Sequence, residues 1–392
     1  MKKDLEGERR KKMKRLKALI KMELRPALLI GAYFLLVDLL VLFSVRGQIQ
    51  NTWRSFLLNG IEEFMAYNGG VRIAGTFAEN MLYIMLLSIV GMMALVYVSF
   101  KNDKSIEIGR FLKSLPYTMR ERCLAKMGVG IVTFTMTYIF YAIGMLVLHM
   151  DYLNKFSEVY RVTILSEVYT QIFDKGELIK ALILIYVGCI AIYLFCMMFQ
   201  YIVSNRLGGI IVATLVYLSP VFIANSLSAY GSVRYVDAIY ENIIYPLTDW
   251  LTELMIIFGY QGWGEVIVGI STNGGISDNT TIQYTYMSLI GYRIVFYGMI
   301  ALVSLVAILK LCVAERVEKS DYFIPSKCFR GIFICGVAVC GGLLLGDIYL
   351  IYSNEANMGI VYGLLIFGGV ISFLVARKIA SIGMRKGKEV HI

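Results

Sequence analysis

Residues 181–227 read ALILIYVGCIAIYLFCMMFQYIV (181–203), SNRLG (204–208) and GIIVATLVYLSPVFIANSL (209–227). Two apolar runs flank a five-residue turn, and Arg206 is the only formal charge in the stretch. Each run matches the ~20 residues that an α-helix needs to cross about 30 Å of hydrocarbon. Neither run keeps a polar face, as a helix on the surface of a soluble domain would. The stretch therefore predicts a helical hairpin that passes through a lipid bilayer twice. A backbone in hydrocarbon must satisfy its own polar groups, and a helix does so within one segment.

Outward from this hairpin, similar runs occur at 27–45, 81–100, 127–148, 288–312, 331–352 and 358–376. The expected fold class is an all-α polytopic membrane protein with about eight transmembrane helices. Composition agrees: 58% of the 392 residues are hydrophobic and only 17% are charged, against roughly a quarter charged in soluble domains. Eight crossings place both termini on one side. The segments 1–26, 101–126, 204–208, 310–330 and 377–388 carry 29 of the 38 Lys and Arg residues. Such a bias assigns them to the cytoplasm, with the chain in the plasma membrane. The net charge of +10 follows this pattern around the apolar runs and does not form a nucleic-acid-binding face.

Residues 8–25, ERRKKMKRLKALIKMELR, have the pattern of a basic amphipathic helix lying at an anionic leaflet. Pro26 stands where the first span would begin. The basic run is too long and too charged for a secretory signal, and no small-residue cleavage site follows the first apolar run. Segment 1–26 is therefore expected to be a retained cytoplasmic elbow. Between the fifth and sixth spans, residues 228–287 form an external segment. Within it, LMIIFGYQGWGEVIVGI (254–270) is apolar but interrupted by glycines. Its two halves are each too short to cross, which points to a re-entrant hairpin or an external amphipathic helix.

The chain has no G-x-x-x-x-G-K-[ST] phosphate loop, no H-E-x-x-H, and only two histidines, His149 and His391. No Ser/His/Asp set can be assembled from these. No catalytic residue, bound cofactor or metal site is expected, and the chain is not read as an enzyme. The seven cysteines fall in predicted spans or cytoplasmic loops, so no disulfide framework is implied.

The loop 101–126, KNDKSIEIGRFLKSLPYTMRERCLAK, carries the most information. Ile106, Phe111, Leu112 and Leu115 form a small apolar face, and Pro116 interrupts it. Thr118 and Glu121 have the spacing of a capping box. The helix they start carries Arg120, Arg122 and Lys126 into the third span. A stiff helix with apolar and basic faces suits docking into a groove of a soluble partner. A solvated connector is the alternative.

The order F-L-x-S-L-P, a polar turn, R-x-R-x-x-x-A-K and a glycine-rich span resembles the cytoplasmic coupling loop of ABC-2-type exporter permeases. Ser114, Leu115, Pro116, Arg120, Glu121 and Lys126 are the matching positions. The elbow helix, the tight turn Ser204–Gly208 and the external hairpin agree with that layout. The resemblance implies a six-helix ABC-2 (type V exporter-like) core over 27–312, a cytoplasmic connector over 313–330, and two additional helices with a basic tail over 331–392. Extended permeases of this kind resemble Gram-positive exporters of antimicrobial peptides and phenol-soluble modulins. The implied assembly is a permease homodimer or sibling heterodimer. Each copy would bind a cytosolic ATP-binding subunit that holds ATP and Mg, with Phe111, Leu112, Leu115, Pro116, Arg120, Glu121, Arg122 and Lys126 at the contact. The implied cargo is an amphipathic or hydrophobic peptide, with a lipid-like molecule as the alternative. A stand-alone secondary transporter is the competing class. It would carry midplane acidic residues and a two-fold repeat of broken helices, and neither is found.

Two ionisable residues lie within spans. Asp38 is about two-thirds along the first, and Arg293 is about five residues into the sixth. Such groups face protein or a water-filled path. They are candidates for an intramembrane polar site, against snorkelling of Arg293 and a structural hydrogen bond for Asp38.

Overall fold

The computed structural model describes residues 2–66, 69–104, 117–161, 175–233, 246, 248, 290–314, 323–324, 326–353 and 357–381. Among these, regular structure is entirely helical. In chain order the long helices are α1 (Lys2–Ala66), α2 (Gly69–Ser99), α3 (Met119–Arg161), α4 (Lys175–Ile202), α5 (Arg206–Val233), α6 (Ile290–Ala314), α7 (Lys327–Tyr352) and α8 (Met358–Ala380). All eight contain a stretch long and apolar enough to cross a membrane, the architecture of a polytopic membrane protein.

Most predicted spans coincide with these stretches to within a few residues, for example Asn80–Ser99, Leu178–Ile202 and Lys327–Tyr352. The first differs. The basic segment and the span form one helix with Pro26 inside it, so Pro26 is no helix start. One buried stripe accounts for the continuity. Leu19, Glu23, Ala27, Ile30, Phe34, Val37, Val41, Val45 and Ile49 are all buried. Their three- and four-residue spacing continues across the proline on one helix face. Packing along that stripe offsets the hydrogen bond that proline removes.

The chain divides into two compact units. The first comprises Met1–Leu95, Ala125–Tyr193 and Ile256–Leu302. Its core is aromatic. Phe34 of α1 meets Phe134 of α3 edge-on at 5.2 Å, and Phe134 stacks on Tyr186 of α4 at 6.0 Å. Small residues let helices approach closely. A Cβ on Gly31 would lie 3.0 Å from the Thr133 side chain, and one on Gly144 would strike Leu42 at 2.6 Å.

The second unit comprises Val96–Leu124, Leu194–Met255 and Val303–Ile392. Here α7 and α8 pack as a hairpin, and α7 also contacts α5. The α7–α8 seam is backbone against backbone. A Cβ on Gly342 would sit 2.7 Å from the Leu365 carbonyl, and one on Gly368 would sit 2.8 Å from the Gly341 carbonyl. At its far end Ser226 of α5 hydrogen-bonds Asp347 of α7 at 2.5 Å, and the Tyr230 hydroxyl donates to the Leu343 carbonyl at 2.8 Å. Asp347, half-buried, therefore helps tie α7 to α5.

Candidate functional site

The start of α3 follows from its own residues. The Thr118 N–H donates to Glu121 Oε2 at 3.0 Å, and the Glu121 N–H donates to Thr118 Oγ1 at 3.2 Å. This reciprocal pair satisfies two N–H groups that a helix start otherwise leaves open, as the capping-box spacing predicts. No break separates the capped turn from the rest of α3, which runs on to Arg161.

The basic residues of this start do not share one environment. Arg120 is exposed. Arg122 is 5% exposed and forms an ion pair with Asp103, in the turn that follows α2. One turn further along α3, Lys126 is 3% exposed, and its Nζ donates to Glu23 Oε1 of α1 at 2.8 Å. Gly130 has no side chain to obstruct Tyr193, whose hydroxyl donates to the Lys126 carbonyl at 3.2 Å. Arg122 and Lys126, expected to face a soluble partner, thus point into the fold as charge partners. Glu121 serves the cap. Leu124, not singled out from the sequence, is 51% exposed and lies four residues from Arg120, on the same helix face. Phe111, Leu112, Leu115 and Pro116 lie outside the described residues, as does 254–270 of the external segment.

In the second unit the turn between α4 and α5 is held from several directions. Asn205 Oδ1 accepts from the N–H groups of Leu207 and Gly208 at 3.0 and 3.4 Å, capping α5. Lys104 Nζ donates to the Val203 carbonyl at 3.2 Å, and the Ser204 N–H donates to the Phe323 carbonyl at 3.1 Å. Arg206 lies over the Tyr97 ring at 5.0 Å. The tightness of Ser204–Gly208 was legible from its length. The role of Phe323 was not, because it comes from more than a hundred residues away.

Of the intramembrane candidates, Asp38 is 3% exposed and Arg293 is 4% exposed. No ion pair joins them among the described residues. Arg293 belongs to the first compact unit. Asp38 Oδ2 has no hydrogen-bond partner among the described residues, so the expected structural hydrogen bond to that atom is not made. Among the described residues no three His, Cys, Asp or Glu side chains gather as metal ligands.

Set against protein-family models, curated proteins and solved structures, the chain matches none of them.

Proposed function

We propose that the chain is the membrane-embedded permease subunit of an ATP-driven exporter of the ABC-2 type, in the plasma membrane of a Gram-positive cell. Both termini lie in the cytoplasm, and ATP and Mg are bound by a separate cytosolic subunit. The permease pairs with a second copy or a sibling. The cargo is an amphipathic or hydrophobic peptide.

One observation carries this reading. The segment whose sequence resembles a coupling loop leads into a capped helix start with no joint before the rest of α3. A soluble motor can act on helices in lipid only through a stiff element. The capped turn presents Arg120 and Leu124 at the surface, a basic and an apolar group suited to a groove on the motor. Arg122 and Lys126 secure that element internally rather than contact the motor.

A pull-down of the full chain from native membranes is expected to recover a soluble subunit bearing a phosphate loop. In the Arg120→Glu/Leu124→Asp variant that subunit is lost, while the permease elutes unchanged from a sizing column. Failure to recover any phosphate-loop protein with the wild-type chain would sink the proposal.

A further inference from the structure

Asp38 is the only carboxylate on α1 between Ala27 and Ile49, and it lies within the first compact unit. One turn earlier on the same helix face is Phe34, also buried. Its ring begins a chain of aromatic contacts along α3. Phe34 meets Phe134 at 5.2 Å, Phe134 meets Tyr138 at 5.4 Å, and Tyr138 meets Tyr141 at 5.7 Å. Gly31 of α1 packs against Thr133 of α3 and Leu42 of α1 against Gly144 of α3, and this register brings Tyr141 level with Asp38. The Tyr138 hydroxyl is committed to the Leu182 carbonyl at 2.7 Å, which fixes that ring. Tyr141 is completely buried, and its hydroxyl has no hydrogen-bond partner among the described residues.

Two buried oxygens, one on Asp38 and one on Tyr141, are therefore left without a hydrogen-bond partner among the described residues, in a unit whose core is aromatic. A buried polar atom without a partner is costly, and more so a carboxylate within a span. Aromatic faces are electron-rich and favour a positive charge. Both oxygens can accept a hydrogen bond. The complement is a small cation that brings its own N–H donors and tolerates apolar surroundings. A hard metal ion would need a larger set of oxygen ligands, which the described residues do not gather here.

We infer that Asp38 and Tyr141, walled by Phe34, Phe134 and Tyr138, form a binding site for a primary ammonium group carried on an apolar molecule. This names the cargo class of the exporter proposed above, and for transport, though not for binding, it rests on that reading.

The test uses the purified full chain in a maltoside detergent, titrated calorimetrically with dodecylamine and, separately, with dodecanol, against protein-free micelles. The wild-type chain is expected to bind the amine at least about ten-fold more tightly than the alcohol. Asp38→Asn, nearly the same shape without the charge, is expected to lose that preference. Equal binding of amine and alcohol by the wild-type chain overturns the inference without recourse to any variant. So does an Asn variant that elutes normally and keeps the preference. Competition then separates two sources of the same chemistry. Displacement of dodecylamine by a lysine-bearing amphipathic peptide supports a peptide cargo, and displacement by phosphatidylethanolamine supports a lipid headgroup. Displacement by neither overturns the site. No arm needs an ATP-binding subunit, so loss of the partner in the pull-down would remove the exporter reading and leave this binding intact.

Discussion

A charge buried in a helix bundle constrains its neighbour more than an apolar side chain does, and the pair Glu23–Lys126 shows how. Both side chains are nearly inaccessible and 2.8 Å apart. Removing one leaves the other buried without compensation, at a cost of about 3–5 kcal/mol. Lys126→Met is therefore expected to lower the midpoint of thermal unfolding in detergent substantially. Adding Glu23→Gln should recover most of that loss, because no bare charge then remains. A double variant as unstable as the single one would show that the ion pair is incidental. Part of this was legible beforehand. Glu23 falls in register with Leu19 and Ala27, on the stripe that becomes buried, and a carboxylate on such a stripe signals a partner. Which lysine answers it was not legible, because the two residues are 103 positions apart and only packing brings them together. For the same reason the sequence marks Arg122 as a surface residue, whereas packing sets it against Asp103.

Spans were readable because hydrocarbon thickness imposes a length on them, whereas helix ends were readable only where a local signal fixes them. Thr118 and Glu121 supply one, and α3 starts there. No comparable signal follows Val45, and α1 continues to Ala66. Close helix approach leaves another kind of trace. The glycines of α7 and α8 divide into those that meet a facing backbone, those that meet a side chain and those that face open space, and composition alone does not separate them. Gly342→Ala is expected to force α7 and α8 apart and to destabilise the hairpin by about 1–3 kcal/mol. Gly336 has nothing within 4 Å of an added Cβ. Gly336→Ala should therefore be neutral, or slightly stabilising through helix propensity. Thermal unfolding of the two variants side by side checks the contrast, and equal effects would mean that the α7–α8 seam is looser than described.

At the scale of the whole molecule, the proposed topology of eight crossings with cytoplasmic termini assigns an address to every loop, and one cysteine can test it. Cys328 is exposed near the start of α7, whereas Cys123, Cys189, Cys196 and Cys312 are buried. A membrane-impermeant maleimide is expected to label Cys328 in inside-out vesicles and to leave it unlabelled on intact cells. Labelling on intact cells would invert the proposed topology and remove the coupling segment from the side where ATP is found. The number of helices long and apolar enough to cross was legible, since each is written in a local run of residues. Which polar groups meet inside the bundle was not, since that depends on contacts between distant segments. The length of α1 has a mechanical corollary. Its 65 residues would measure about 98 Å as a straight helix, some three times the oily layer it has to traverse. At the inclinations usual for such helices, a helix of this length would extend well beyond the hydrocarbon on crossing it. Pro26, which leaves one hydrogen bond of this helix unmade, is the place where a push on its basic end would be taken up as a bend.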